Sequence, residues 1–105
     1  MATYYIYTLQ DLQDIANGHL TDDCVLMNDI DASATRTWND GAGFLPIRGS
    51  YGFKGTFDGQ GYSIFNLYIN RPSSNYVGLF GELKDYNGNK FVKDLKLINV
   101  EILGY

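Results

Sequence analysis

Residues 53–83 read FKGTFDGQGYSIFNLYINRPSSNYVGLFGEL, and this stretch decides the fold of the chain. Short apolar runs alternate in it with glycine-bearing turns, a pattern typical of short β-strands separated by tight bends. Asp58 followed by Gly59 predicts one such bend, because aspartate can accept a local backbone hydrogen bond and glycine tolerates positive φ. The run that follows, residues 63–70, carries three apolar residues for a buried face: Ile64, Leu67 and Ile69. The stretch therefore predicts a stack of short strands.

An internal repeat supports this prediction. Shifting the sequence by 28 residues lays Ile64, Asn66, Leu67 and Ile69 over four residues of similar character, Val92, Asp94, Leu95 and Leu97. Self-similarity of this kind indicates a solenoid, in which successive turns of chain stack and equal positions become neighbours in a ladder. We therefore expect Leu67 and Leu95 to lie on the same face of the stack, both in the core.

The motif Gly78-Leu79-Phe80-Gly81 resembles the four-residue pattern of the GLUG-type repeat region of bacterial surface proteins, which is related to filamentous-haemagglutinin-like folds. Residues 28–33, 43–47 and 53–61 resemble the segment that precedes such repeats, so the resemblance covers roughly residues 23–103. It implies an all-β chain with one short capping helix, folded as a short right-handed parallel β-helix, or β-solenoid. This chain has about one repeat, whereas the family usually strings many. The architecture carries adhesion, polysaccharide cleavage and scaffolding alike, so the resemblance leaves function open.

Length and composition predict a single domain over residues 1–105, with residues 1–22 as an N-terminal strand and capping helix and residues 23–105 as the β-helix turns. Thr8 is a candidate N-cap with Asp11 three positions on, ahead of apolar residues at helical spacing. We expect a helix over residues 9–17 that covers one open end of the stack with Leu9, Leu12 and Ile15.

Further strands are predicted over residues 4–8, 24–30 and 91–103, with a loop over residues 32–43 and a packed run over residues 44–47. Nothing after the last run resembles a C-terminal cap. This predicts an open edge through which a homodimer could form.

The composition excludes several classes of protein. The single Cys24 excludes an internal disulfide and cysteine-based zinc patterns. No apolar run approaches the ~20 residues of a membrane span, and residues 1–13 lack the features of a secretory signal. We therefore expect either a cytoplasmic protein that stands alone or a piece of an adhesin at the cell surface, with no membrane partner.

Charge is distributed unevenly along the chain. Residues 1–47 hold seven aspartates against one arginine, a balance of −6, whereas residues 48–105 hold five acidic and seven basic residues, a balance of +2. An acidic half disfavours direct binding of nucleic acid and suits a protein partner with a basic, nucleic-acid-binding surface. A solvated, solubilising surface explains the same excess.

Three carboxylates could carry chemistry. Asp29 and Asp31 share a face if they lie on one strand, and with Asp58 they could bind a cation or act in a polysaccharide-cleaving enzyme. The alternative, which we favour, is that each accepts hydrogen bonds from backbone amides. We therefore predict no catalytic residue, no metal site and no cofactor. His19 is expected in a surface loop, and Cys24 as a small buried side chain.

Aromatic residues near turns are candidate anchors for a sugar or protein ligand, although they equally suit the flank of a small domain. Combined with the acidic excess, they give eight candidate binding residues: Asp22, Asp23, Asp29, Asp31, Trp38, Asp40, Tyr51 and Tyr68.

The first hypothesis for function is a small, acidic, non-catalytic intracellular inhibitor that blocks a nucleic-acid-binding host partner, as phage anti-defence and anti-CRISPR proteins do. The alternative is the capped N-terminal fragment of a surface adhesin that binds carbohydrate or protein, to which the family resemblance points. A polysaccharide-cleaving β-helix enzyme is the weaker third hypothesis.

Overall fold

The structure is a computed structural model that describes residues 2–47, 53–71, 78–79 and 92–104. Its strands are short, and their bounds are β1 Thr3–Ile6, β2 Asp23–Leu26, β3 Ile30–Asp31, β4 Thr56–Asp58, β5 Ser63–Phe65, β6 Tyr68–Arg71, β7 Val92–Lys93, β8 Lys96–Ile98 and β9 Glu101–Gly104. The helix α1 spans Leu9–Gln13 and continues as a 3₁₀ turn over Asp14–Ala16. A 3₁₀ segment covers Ser33–Gly41.

These strands form three parallel sheets, in the orders β1-β2-β4-β7, β3-β5-β8 and β6-β9. The chain passes through β4, β5 and β6 in turn and then repeats the route through β7, β8 and β9, so each pass lies against the one before it. The prediction of a mostly β chain with one short helix is confirmed, and the strands pair in parallel. The sheets are separate and open, and an isolated antiparallel bridge joins Gly43 to Ile69.

The stacking period differs from the predicted one. Ser63 pairs with Lys96 and Tyr68 pairs with Glu101, which is a separation of 33 residues, as in the side-chain hydrogen bond from Asn99 to Asn66. The predicted spacing of 28 residues is wrong, because β8 pairs with β5 and not with the region around β6. Leu95 therefore lies just before β8, whereas Leu67 lies just before β6.

The error has a physical cause in the corners of the fold. An apolar-x-Asx-apolar pattern occurs twice in the last pass, around Asp94 and again five residues later around Asn99. Asn66, Asp94 and Asn99 all have positive φ, between 51° and 63°, a conformation that Asn and Asp tolerate better than most residues. Each lies between two strands, so the predicted runs 63–70 and 91–103 are broken at these corners. The 28-residue shift superimposed the corner Asn66 on the wrong corner.

The N-terminal elements follow the prediction closely. The Thr8 side chain accepts from the Asp11 amide, and the Asp11 carboxylate accepts from the Thr8 amide, which together form a capping box. Leu12 and Ile15 are fully buried and Leu9 is partly buried against the same core. The helical region ends at Ala16, one residue before the predicted end, and only Leu9–Gln13 is α-helical.

Two other predicted elements are corrected. The strand predicted over residues 24–30 is interrupted at residues 27–29, which separate β2 from β3 in different sheets. The loop predicted over residues 32–43 is largely the 3₁₀ segment, kinked at Trp38, Asn39 and Asp40. The run over residues 44–47 packs as expected, since Phe44 and Ile47 are fully buried.

The core lies between the three sheets and under α1. Its largest fully buried side chains belong to β1, β2, β4, β5, β6 and the connections between them: Ile6, Leu26, Phe44, Phe53, Phe57, Ile64, Leu67 and Ile69. The last pass is different, because Leu97, Ile98, Ile102 and Leu103 are exposed. Burial therefore falls off along the stack from the first pass to the last.

Candidate functional site

A groove of about 490 Å³ lies between the helix α1 and the 3₁₀ segment. The described residues that line it are Gln10, Gln13, Thr37, Trp38, Asn39 and Leu45. They combine one indole, one exposed aliphatic side chain and four uncharged polar side chains. This volume lies within the range of small-ligand sites, although the lining is more polar than is usual for them.

One wall of the groove is held by a reciprocal hydrogen bond. The Gln13 side chain donates from Nε2 to the Leu45 carbonyl at 2.9 Å and accepts at Oε1 from the Leu45 amide at 2.8 Å. These bonds join α1 to the segment before Ile47, 32 residues further along the chain. Both bonds join the Gln13 side chain to backbone atoms of Leu45, so they fix the position of that side chain in the wall of the groove.

Trp38, which the sequence suggested as an outward anchor, also lines the groove. In the structure Trp38 is half-buried, with its ring centroid 6.4 Å from that of Phe44 and the two planes 17° apart. The next two residues, Asn39 and Asp40, both have positive φ, and Asn39 Nδ2 donates to the Gly43 carbonyl at 2.8 Å. Packing and this tight turn together orient the indole.

The acidic candidates are spread over different elements. Asp22 and Asp23 stand at the start of β2, Asp29 and Asp31 flank and end β3 in another sheet, and Asp40 lies in the kinked 3₁₀ segment. In the part of the chain that the structure describes, no group of three or more His, Cys, Asp or Glu side chains could hold a metal ion.

Most of these carboxylates hydrogen-bond within the chain. Asp22 Oδ2 lies 2.8 Å from His19 Nδ1, and Asp23 Oδ1 accepts from the Thr56 hydroxyl at 2.8 Å. Asp29 Oδ1 accepts from the Ser63 amide at 2.9 Å, a bond that joins two successive passes of the chain. Such bonds to the fold leave less of each carboxylate to meet a partner.

Asp31 and Asp58 behave as predicted for residues at strand ends. Asp31 Oδ1 accepts from the Ser33 amide at 2.9 Å, and Asp58 Oδ1 accepts from the Gln60 amide at 2.9 Å. The hydrogen bond from Ser33 lowers the pKa of Asp31. The interpretation of these two residues as caps of local backbone amides is confirmed, whereas Asp29 caps an amide of the next pass.

Tyr68 takes part in a polar cluster on the outer surface. The Arg36 guanidinium lies 4.6 Å from the centre of the Tyr68 ring and donates to Glu101 at 2.8 Å. The Tyr68 amide donates to the hydroxyl of buried Thr35 at 2.9 Å. Tyr68 is therefore half-buried and already partnered, and it is not among the residues that line the groove. Tyr51 lies outside the described residues.

His19 and Cys24 lie close together without forming a nucleophilic pair. The His19 ring stacks on Tyr4 at 3.7 Å, and the Cys24 thiol approaches backbone oxygens of His19 and Asp22 at 3.9 and 3.8 Å. Burial raises the pKa of Cys24 to about 12, with Asp22 and Asp23 adding to the shift. The thiol is therefore protonated at neutral pH and a poor nucleophile. Cys24 is buried as predicted, and His19 lies in the predicted loop, before β2, with its side chain half-buried.

Sequence reasoning identified Trp38 but missed the rest of the groove: Gln10, Gln13, Thr37, Asn39 and Leu45. Polar residues on a short helix and in a turn are ordinary surface residues by pattern. The contact that brings them together spans 32 residues and carries no local signal.

Two much longer proteins are similar to this chain. It is 41% identical over 111 aligned residues to a halomucin of Haloquadratum walsbyi, a match that covers 96% of this chain and 1% of that protein. It is 38% identical over 73 residues to a putative Gly-rich membrane protein of Evansella cellulosilytica, covering 69% of this chain and 8% of that protein. No protein-family model matches the chain. No solved structure matches it significantly. Within the described ranges, no helix has the length and apolar character needed to cross a membrane.

Proposed function

We propose that this chain is a segment of a short right-handed parallel β-helix that serves as a non-catalytic binding and scaffolding module in a longer, surface-associated protein. The observation that carries the proposal is the pair of successive passes, β4-β5-β6 and β7-β8-β9, which stack in parallel, with a separation of 35 residues between β4 and β7 and of 33 residues in the other two pairs. This is the arrangement that the GLUG-type resemblance implies. The motif itself contributes Leu79 to the core, while Phe80 and Gly81 lie outside the described residues.

The exposed apolar side chains of the last pass support the proposal that this chain is part of a longer stack. Its exposed residues Leu97, Ile98, Ile102 and Leu103 occupy β8 and β9, the outermost strands of their ladders among the described residues. Exposed apolar side chains on an open strand edge favour pairing with a further strand. A further parallel pass would cover these side chains in the same way as this pass covers the one before it.

The relatives support the surface location. Both are far longer than this chain, and one carries the name of a membrane protein. A module of stacked passes inside a long chain suits adhesion or scaffolding, in which a rigid rod presents binding surfaces.

The intracellular inhibitor stays an untested prediction, as does the absence of catalysis. The carboxylates that would meet a basic partner are spread over several elements, and Asp22, Asp23, Asp29 and Asp31 bond within the chain. This distribution favours the surface module over an acidic mimic.

The location can be tested on source cells with an antibody raised against the folded chain. We expect the antibody to label intact cells, and a brief treatment of those cells with a non-penetrating protease to remove the signal while a cytoplasmic marker survives. Labelling only after lysis would contradict the surface location and would favour the hypothesis of an intracellular inhibitor.

A further inference from the structure

We propose that the groove between α1 and the 3₁₀ segment binds an uncharged sugar unit, so that the module recognises a neutral glycan. This inference rests on the proposed surface module and names the ligand class of one of its faces. Its six described lining residues are those given above: Gln10, Gln13, Thr37, Trp38, Asn39 and Leu45.

The absence of charge among those six residues selects the ligand class. Charged residues make up 19% of the sequence, yet every described side chain that lines the groove is neutral at neutral pH. A phosphate, a uronate or an ammonium group bound there would lose water without gaining a counter-charge from them, which is unfavourable. A neutral polar ligand avoids this cost.

The aromatic and aliphatic residues suit the apolar face of a sugar ring. Trp38 is half-buried and held against Phe44, so its indole is presented in a fixed orientation. Leu45, which lines the same groove, is 47% exposed. An indole that is partly exposed to solvent offers a flat apolar face and an N–H donor. The face suits the C–H groups of a sugar ring, and the N–H suits its hydroxyl groups.

The amide side chains keep hydrogen-bonding capacity for hydroxyl groups. A primary amide has two N–H donors and two acceptor lone pairs. Gln13 uses one donor and one acceptor on Leu45, Asn39 uses one donor on Gly43, and Gln10 uses one donor on Asp14. Each therefore retains at least one acceptor site, and these bonds also hold the side chains in place before a ligand arrives, which lowers the entropic cost of binding.

The test uses Trp38 as its own reporter, because it is the only tryptophan in the sequence. The folded chain is titrated with methyl glucoside, methyl galactoside, methyl mannoside, N-acetylglucosamine and short oligomers of these sugars, with glucuronate and galacturonate as charged comparators. We expect a saturable change in Trp38 emission for at least one neutral sugar, with a Kd of about 1 mM or lower. The matching uronate should bind more weakly.

A matched pair of variants separates the groove from the helix. Gln10 and Asn17 both donate to Asp14 Oδ1 at 3.1 Å, but only Gln10 lines the groove. Gln10→Ala should weaken sugar binding about fivefold, the effect of one lost hydrogen bond, and Asn17→Ala should leave it within about twofold. Trp38→Phe, followed by calorimetry, should weaken binding while retaining the packing on Phe44.

Three results would overturn the sugar site: no saturable change with any neutral sugar, tighter binding of the uronates, or equal losses from Gln10→Ala and Asn17→Ala. These results are independent of the cell-labelling experiment. Sugar binding by a chain found only after lysis would retain the site and reject the surface module. Surface labelling without sugar binding would retain the module and reject the site.

Discussion

The two ends of the stack differ in how the edges of the parallel sheets are covered. At the N-terminal end, β1 pairs with β2, and α1 with its 3₁₀ turn packs Leu12 and Ile15 fully into the core. At the other end, β7, β8 and β9 extend the same ladders, and apolar residues of β8 and β9 remain exposed. Stacking of parallel strands alone therefore leaves apolar side chains exposed at the end of the stack, until non-repeating structure or a further pass covers them.

Ile64 and Leu97 show this difference at one pair of directly neighbouring strand residues. They are direct partners in the pairing of β5 with β8, yet Ile64 is 0% exposed and Leu97 is 47% exposed. Equivalent side chains therefore contribute unequally to stability, according to whether another pass lies over them.

The largest expected effect comes from truncating this pair. Ile64→Ala should lower the free energy of unfolding by about 2–5 kcal/mol, because it removes buried methyl groups and leaves a cavity. Leu97→Ala should change it by less than about 1 kcal/mol in the isolated chain, since the side chain is largely in water already. Urea unfolding followed by circular dichroism measures both, and equal losses would contradict the account of an open last pass.

Two glycines that contact neighbouring backbone closely, Gly55 and Gly59, allow a second comparison of the two ends. A Cβ at Gly55 would clash with the Asp22 carbonyl on the side of the closed end, whereas a Cβ at Gly59 would lie 2.5 Å from the Asp94 carbonyl of the last pass. Gly55→Ala should cost about 1–3 kcal/mol or more, because neither backbone can move away. Gly59→Ala should cost less, since the backbone it meets belongs to the last described pass, whose strands lie at the edges of their sheets. Thermal unfolding of the two variants provides the test, and the reverse order would show that the last pass is the rigid one.

The capping box tests how far the closed end depends on its helix. Thr8→Ala removes the acceptor for the Asp11 amide, which lies 3.0 Å from Thr8 Oγ1, and should cost about 1 kcal/mol. Thr8→Ser retains the acceptor and is the matched control, with an expected change near zero. If Thr8→Ala unfolds at the same urea concentration as the wild type, the helix contributes little to closing that end.

The smallest effect concerns the corner after β3 and depends on pH. The Ser33 amide lowers the pKa of Asp31 below its ordinary value of 3.8. A lowered pKa in the folded state means that this stabilisation is complete above the ordinary value and is lost as the pH falls through the folded value. Asp31→Asn should therefore be less stable than the wild type at neutral pH, and the gap should narrow as the pH falls below 3.8 and through the lowered pKa of the folded state. A gap that persists unchanged at low pH would show that the ionised carboxylate contributes nothing.

The sequence allowed much of the fold to be predicted because the relevant signals are local. The capping box lies within Thr8 and Asp11, and the apolar spacing of Leu12 and Ile15 marks the buried face of the helical turn. Turn residues such as Asp58 also act on their immediate neighbours. Each of these signals spans a few residues and was interpreted correctly.

The register and the groove depend on distant contacts. The Asx corner occurs at Asn66, Asp94 and Asn99, so the sequence offers two alignments of similar quality, and only the pairing of strands selects the separation of 33 residues. The groove depends on Gln13 meeting Leu45 across 32 residues. No local pattern distinguishes that glutamine from any other on a helix surface.

The most direct test of the central claim, that β8 and β9 stack in parallel on β5 and β6 with a 33-residue separation, is a cysteine cross-link. Cys24→Ala provides a background without thiols. Adjacent strands lie about 4.8 Å apart, within the range of about 4.4–6.8 Å that a disulfide spans between Cα atoms. Lys96→Cys combined with Ser63→Cys should therefore oxidise readily to an intramolecular disulfide.

Lys96→Cys combined with Tyr68→Cys is the control, because it represents the rejected 28-residue register and places the thiols in different sheets. We expect this pair to stay reduced under the same mild oxidant, as measured by a gel-shift thiol assay on the folded chain. A disulfide in the Tyr68 and Lys96 variant but not in the Ser63 and Lys96 variant would contradict the account.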